Sequence, residues 1–169
     1  RSKIAISLGN IGMIYSDKGE LDIALNYYVR SNKISEELGK KRYLGEIFGK
    51  IGIVYDRKGD LDTALDYHSK SLKIRNELGN KRGTTFSLYN IGLVYSNKGD
   101  YDKALDYYER SLAMAEVLDL RREMEYSLNN IGMMYYFIGN YDMALDYYER
   151  SLAILEKINE KIGMRHCLN

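Results

Sequence analysis

Apolar and polar positions along this chain follow a helical period, and the pattern itself returns every 40 residues. Leu88, Ile91, Gly92 and Tyr95 place apolar or small side chains at i, i+3, i+4 and i+7, which is one face of a helix. Leu128, Ile131, Gly132 and Tyr135 repeat that face. A second run, Tyr101, Ala104, Leu105, Tyr108 and Leu112, makes another amphipathic helix. Its polar side sets Asp106 against Arg110, and in the next copy Asp146 against Arg150, at the supportive i, i+4 spacing. Between the two runs stand Gly19, Gly59, Gly99 and Gly139, each where a left-handed residue would close the first helix. Each glycine is followed by a cap and a carboxylate: Glu20-Leu21-Asp22, Asp60-Leu61-Asp62, Asp100-Tyr101-Asp102 and Asn140-Tyr141-Asp142. These suit a helix N-terminus. The second helices are expected to end near Gly39, Gly79, Asp119 and Asn159. The chain therefore reads as eight antiparallel helices, with no strand-like alternation and no proline.

Versions of the segment Asn90 to Ala113 begin at Asn10, Lys50 and Asn130, without slippage. Such regularity predicts a repeat array, a single run over 1–169 with units near 1–40, 41–80, 81–120 and 121–160. The start of a further helix is expected at 161–169, because Lys161 aligns with Lys81 and Leu168 with Leu88. Arg1 falls within the first helix of a unit, so the chain is expected to be an internal piece of a longer protein. Gly12, Gly52, Gly92 and Gly132 sit mid-helix, where glycine costs about 1 kcal/mol relative to alanine. Close approach to Ala24, Ala64, Ala104 and Ala144 is the expected compensation, with tyrosines filling the remaining space.

These positions resemble the signature of the tetratricopeptide repeat. Leu88, Ile91-Gly92, Tyr95, Ala104 and Tyr108 follow its order, as do Leu8, Ile11-Gly12, Tyr15, Ala24 and Tyr28, and Leu128, Ile131-Gly132, Tyr135, Ala144 and Tyr148. The second unit departs at His68. The unit is 40 residues long rather than about 34, and Glu36, Asn76, Glu116 and Glu156 stand where a closing proline would be. Longer units without that proline are similar to those of kinesin light chains, cell-polarity adaptors and bacterial Rap-type regulators. The resemblance implies an all-α fold, a right-handed superhelical solenoid of helix hairpins whose first helices line a concave side.

Composition narrows the function. A net charge of +1 with both signs interspersed gives no electrostatic footprint for nucleic acid or an anionic membrane. No apolar run approaches the roughly 18 residues of a membrane span, and no signal-peptide pattern opens the chain. Cys167 is the one cysteine, which excludes an internal disulfide framework and fits a reducing, cytoplasmic setting. His166 and Cys167 point about 100° apart on a helix, so they form no catalytic pair. His68 lies on the core-facing stripe. The paired aspartates at helix starts read as caps, and the glycine spacing is not that of a phosphate loop. Neither an enzyme nor a cofactor or metal site is expected.

The face opposite the core carries the candidate site. If Leu88, Ile91, Gly92 and Tyr95 face inward, Phe86, Asn90, Leu93 and Asn97 point away. The corresponding sets are Ile6, Asn10, Met13 and Asp17; Glu46, Lys50, Ile53 and Arg57; and Tyr126, Asn130, Met133 and Phe137. A solvated face should be lysine and glutamate, yet here aromatic and apolar side chains interleave with asparagines. Lined up along the concave side, they predict a groove for a peptide or flexible segment of a partner protein. Phe86, Leu93, Tyr126, Met133 and Phe137 would supply apolar contact, and Asn90, Asn97 and Asn130 backbone clamps. Glu46, Lys50 and Arg57 of the second unit would read charge, beside Asn10 and Met13 of the first unit. The clamp by which chaperone-binding relatives hold a peptide C-terminus does not carry over, because the third and fourth sets contain no Lys or Arg. Alternative readings are a module that stacks head to tail through its terminal repeats, and an input domain of a signalling protein.

Overall fold

The computed structural model describes residues 1–167, with side chains described for 1–159. Among the described residues eight helices follow one another: α1 (Ser2–Asp17), α2 (Leu21–Glu37), α3 (Lys41–Lys58), α4 (Leu61–Glu77), α5 (Lys81–Asn97), α6 (Tyr101–Val117), α7 (Arg121–Ile138) and α8 (Tyr141–Cys167). Consecutive helices pair as hairpins, and each hairpin packs on the next into an all-α solenoid. The backbones of first helices of successive units come close, α1 to α3, α3 to α5 and α5 to α7, whereas those of successive second helices do not, α6 and α8 being joined by the side-chain pair Glu116–Arg150 at 3.9 Å. The first helices therefore form the inner wall of the curve and the second helices its spread outer row.

The punctuation follows the expected chemistry. Gly19, Gly59, Gly99 and Gly139 all have φ between 75° and 86°. Gly39 and Gly79 close the second helices at φ 61°, and Asp119 does so at φ 49°. The Asp60, Asp100 and Asn140 side chains accept from the backbone N–H of Thr63, Lys103 and Met143 at 3.2–3.3 Å, while Glu20 makes no such bond. α8 departs from expectation. It runs on through Asn159 to Cys167, because no left-handed residue interrupts it among the described residues. The side chains of His166 and Cys167, and all of Leu168, lie outside the described residues.

The mid-helix glycines answer to rings rather than to alanines. A Cβ on Gly92 would stand 2.7 Å from the ring of Tyr108, and one on Gly52 would stand 2.7 Å from His68. Gly12 and Gly132 meet Tyr28 and Tyr148 in the same way, with the Ala24 and Ala144 carbonyl oxygens 3.2 Å off. The alanines do bring the backbones together, but the glycine exists to seat the ring four residues further along the second helix.

Buried serines lock each hairpin. Ser31, Ser71 and Ser111 donate to the carbonyls of Ala5, Gly45 and Thr85 at 2.7–3.0 Å, and Ser151 reaches the Glu125 carbonyl at 3.4 Å. Ser71 and Ser111 also bond Ser87 and Ser127 of the following unit, tying hairpin to hairpin. Outside this, Lys58 pairs with Asp22 and Lys98 with Asp62 across successive units. Ile138 takes the lysine's place in the fourth unit.

Candidate functional site

The inner wall presents the sequence-selected residues in four rows, because the first helices run parallel at a 40-residue register. Nearest the helix N-termini lie Ile6, Glu46, Phe86 and Tyr126, all exposed. The aromatic pair is close to half exposed, Phe86 at 44% and Tyr126 at 49%. They share the rim of a cavity of about 190 Å³ between α5 and α7, with Thr85, Tyr89 and Ser111 also lining it. A larger cavity, about 490 Å³, opens at the corresponding place between α1 and α3, lined by Ala5, Ile6, Ser35 and Tyr43 among others. Tyr43 donates from its hydroxyl to the Ala5 carbonyl at 3.2 Å.

The second row corrects the sequence reading. Asn10 is exposed and Lys50 half-buried, but Asn90 and Asn130 are buried, at 5% and 8% exposure. Asn130 donates to the Tyr89 hydroxyl at 3.0 Å and to its own Tyr126 carbonyl at 2.8 Å. A helical wheel drawn for one hairpin omits the neighbouring first helix, which covers this flank. In the third row Met13 is exposed, while Leu93 and Met133 are half-buried against the core. The fourth row is exposed but largely committed to neighbours. Arg57 donates to the Ser16 carbonyl at 2.6 Å, Asn97 to Asp56 at 2.9 Å, and Phe137 stacks on Tyr101 at 5.5 Å. Arg57 is thus a strut between units and not a free reader of charge.

Sequence reasoning missed Arg75. It replaces the small Ser35 and Ala115 of the neighbouring units. Its side chain fills the place between α3 and α5 where cavities open on either side. It is 9% exposed, donates through Nη1 to the Gly83 carbonyl at 2.8 Å and to Ser87 at 2.9 Å, and sits 5.9 Å from the Phe86 ring. Burial disfavours its charge and the nearby Glu46 carboxylate favours it. A cation standing where its equivalents in the two neighbouring units are small was the visible signal.

Among the described residues no group of His, Cys, Asp and Glu is placed to hold a metal ion, and no helix is long and apolar enough to cross a membrane.

Residues 3–77, 47–116 and 83–157 match the sequence profile of a family described as Tetratricopeptide repeat. No curated protein matches the chain. Among solved structures, BtubC (BKLC) from P. vanneervenii is 21% identical with a TM-score of 0.83, over 92% of this chain and 64% of that one. Aspartyl phosphate phosphatase F from Bacillus subtilis is 18% identical with a TM-score of 0.90, over 94% of this chain and 42% of that one. The Rap conjugation gene regulator of plasmid pLS20, solved in complex with a Phr peptide, is 21% identical with a TM-score of 0.83, over 94% and 44%. The chain thus spans less than two thirds of each of these proteins, and the likeness is one of fold.

Proposed function

The chain belongs to the tetratricopeptide repeat family, and from that premise we propose that it is a protein-binding scaffold without catalytic chemistry, whose inner wall holds an extended segment of a partner. The observation that carries this reading is in the first row: Phe86 and Tyr126 stay exposed on the concave side and share a cavity rim, whereas Leu88, Ile91 and Val94 of α5 and Leu128, Ile131 and Met134 of α7 are buried. Contiguous apolar surface beside cavities favours association. The corrected geometry moves the contact toward the helix N-termini, since Asn90 and Asn130 serve the fold. The pLS20 regulator supports the reading by analogy of fold, as it was solved with a peptide.

The test is a peptide-array screen on the 169-residue chain, followed by affinity measurements on selected peptides. Phe86→Glu combined with Tyr126→Glu should weaken the best peptides by about tenfold or more, as loss of buried aromatic contacts does. Unchanged binding by a variant with a native circular dichroism spectrum would remove the groove from this face.

A second reading rests on the terminal faces. Leu145, Leu152 and Leu155 of α8 are exposed, whereas the equivalent Leu105, Leu112 and Ala115 of α6 are covered by α7. Ile4, Ile11 and Ile14 of α1 are exposed where Ile51 and Val54 of α3 are buried. Copies could join end to end through these two faces.

A further inference from the structure

The polar ties between successive units stop at the third junction. Between the first two units Arg57 donates to the Ser16 carbonyl and Lys58 pairs with Asp22. Between the next two, Asn97 donates to Asp56 and Lys98 pairs with Asp62. Between the third and fourth, the same two positions are Phe137 and Ile138. The Phe137 ring stacks on Tyr101, which stands where the earlier units have Leu21 and Leu61. Asp102, the equivalent of Asp22 and Asp62, is retained, but among the described residues no cation pairs with it. The cations nearby are committed: Lys103 to Asp100 at 2.7 Å, and Lys98 to Asp62.

The surface left at this junction differs from that of the turns before it. Tyr136, Phe137 and Ile138 are each about half exposed, and the Tyr136 and Phe137 rings meet edge to face at 5.8 Å. The equivalents of Tyr136 are Ser16, Asp56 and Ser96. An open cavity of about 520 Å³ lies between Ile138 and the α5–α6 turn, lined also by Lys98, Gly99, Asp100, Tyr101 and Asp102. It sits on the edge of the solenoid that the hairpin turns form, and shares no residue with the inner-wall cavity at Phe86 and Tyr126. Exposed aromatic and apolar surface of this extent favours association. A carboxylate in its midst makes an all-apolar partner costly, since binding would strip its water and return nothing.

We propose that this junction is a docking surface that takes a Lys or Arg side chain of a partner protein, the cation on Asp102 and its stem along Ile138, beside the Tyr101 and Phe137 rings. The repeat itself sets the occupant. At both earlier junctions the equivalent aspartate holds a lysine from the last turn of the next first helix, and here the chain supplies isoleucine. A carboxylate draws a cation, and aromatic faces attract it further. Long basic side chains lay their methylenes on apolar surface while the charge stays in water, which suits an isoleucine next to an aspartate. This surface stands apart from the groove, so either can fail without the other.

The probe is a positional-scanning hexapeptide library in which Arg is compared with citrulline and Lys with norleucine, titrated against the 169-residue chain. One position should favour the charged member by about fivefold, the scale of an exposed ion pair joined by a cation–aromatic contact. Ile138→Lys restores the residue type found at positions 58 and 98, and the introduced ammonium should pair with Asp102 and remove the preference. Asp102→Asn should remove it too, by deleting the charge while keeping the shape. Phe86→Glu combined with Tyr126→Glu, which alters the groove, should leave it intact. A charge preference that persists in both Ile138→Lys and Asp102→Asn, each with a native circular dichroism spectrum, overturns the proposal, as does its absence from the wild type. A preference lost only in the groove variant assigns the cation to the inner wall and overturns it equally.

Discussion

At residue scale, His68 shows how one substitution within a repeat changes the energetics. It takes the ring position that Tyr28, Tyr108 and Tyr148 occupy elsewhere and is 1% exposed, with Nδ1 unpartnered. Burial, helped by the charge of Arg75, lowers its pKa to about 4. In the unfolded chain it would titrate near 6.5, so between these values only the unfolded state binds the proton. Stability is then full above about pH 6.5 and falls as pH drops toward 4, by about 3 kcal/mol in all. Melting temperatures of the wild type should decline across that window, and His68→Tyr should flatten the decline. Gly92→Ala tests the other half of the same contact. Its methyl would stand 2.7 Å from the fully buried Tyr108 ring, so urea denaturation should register a loss of about 1–3 kcal/mol despite alanine's better helix propensity. Sequence periodicity announced a close approach at these glycines but assigned it to the alanines. The ring comes from the next turn of the partner helix, one step beyond what a single face reveals.

At the scale of the element, the helices and their ends were legible because caps and left-handed glycines are local chemistry. The identity of the solvent face was not. Asn90, Asn130, Leu93 and Met133 lie on a flank that only the adjoining unit covers, and nothing within one hairpin records that neighbour. Row one, by contrast, was read correctly as exposed, since Phe86 and Tyr126 project past the contact. This distinction has a measurable form. Asn130→Ala removes bonds to Tyr89 and Tyr126 and should cost about 1–3 kcal/mol in chemical denaturation, the toll of breaking a buried polar pair. Asn10→Ala alters an exposed side chain and should stay within about 0.5 kcal/mol. Equal costs for the two would contradict the lateral packing described for α5 and α7. Arg75 escaped notice for a related reason: a cation at a second-helix position reads as surface until the glycines around it are seen to make room.

For the molecule as a whole, the repeat period made the architecture readable from the sequence alone, because every hairpin meets the same two neighbours. The terminal faces are the exception, and they lead to a further expectation. Sedimentation velocity of the 169-residue chain should show mass rising with concentration, and Leu152→Glu should hold it at the monomer if α8 is the joining face. A wild type that stays monomeric at high concentration excludes end-to-end association through these surfaces. The asymmetry between the two helix rows reaches further still. Since the backbones of α2, α4, α6 and α8 stay apart, with Arg150 of α8 reaching Glu116 of α6 by side chain at 3.9 Å, their spacing can widen or narrow while each hairpin keeps its own core. The chain can thus behave as a soft spring, in which a change of pitch is shared over every junction and concentrated in none.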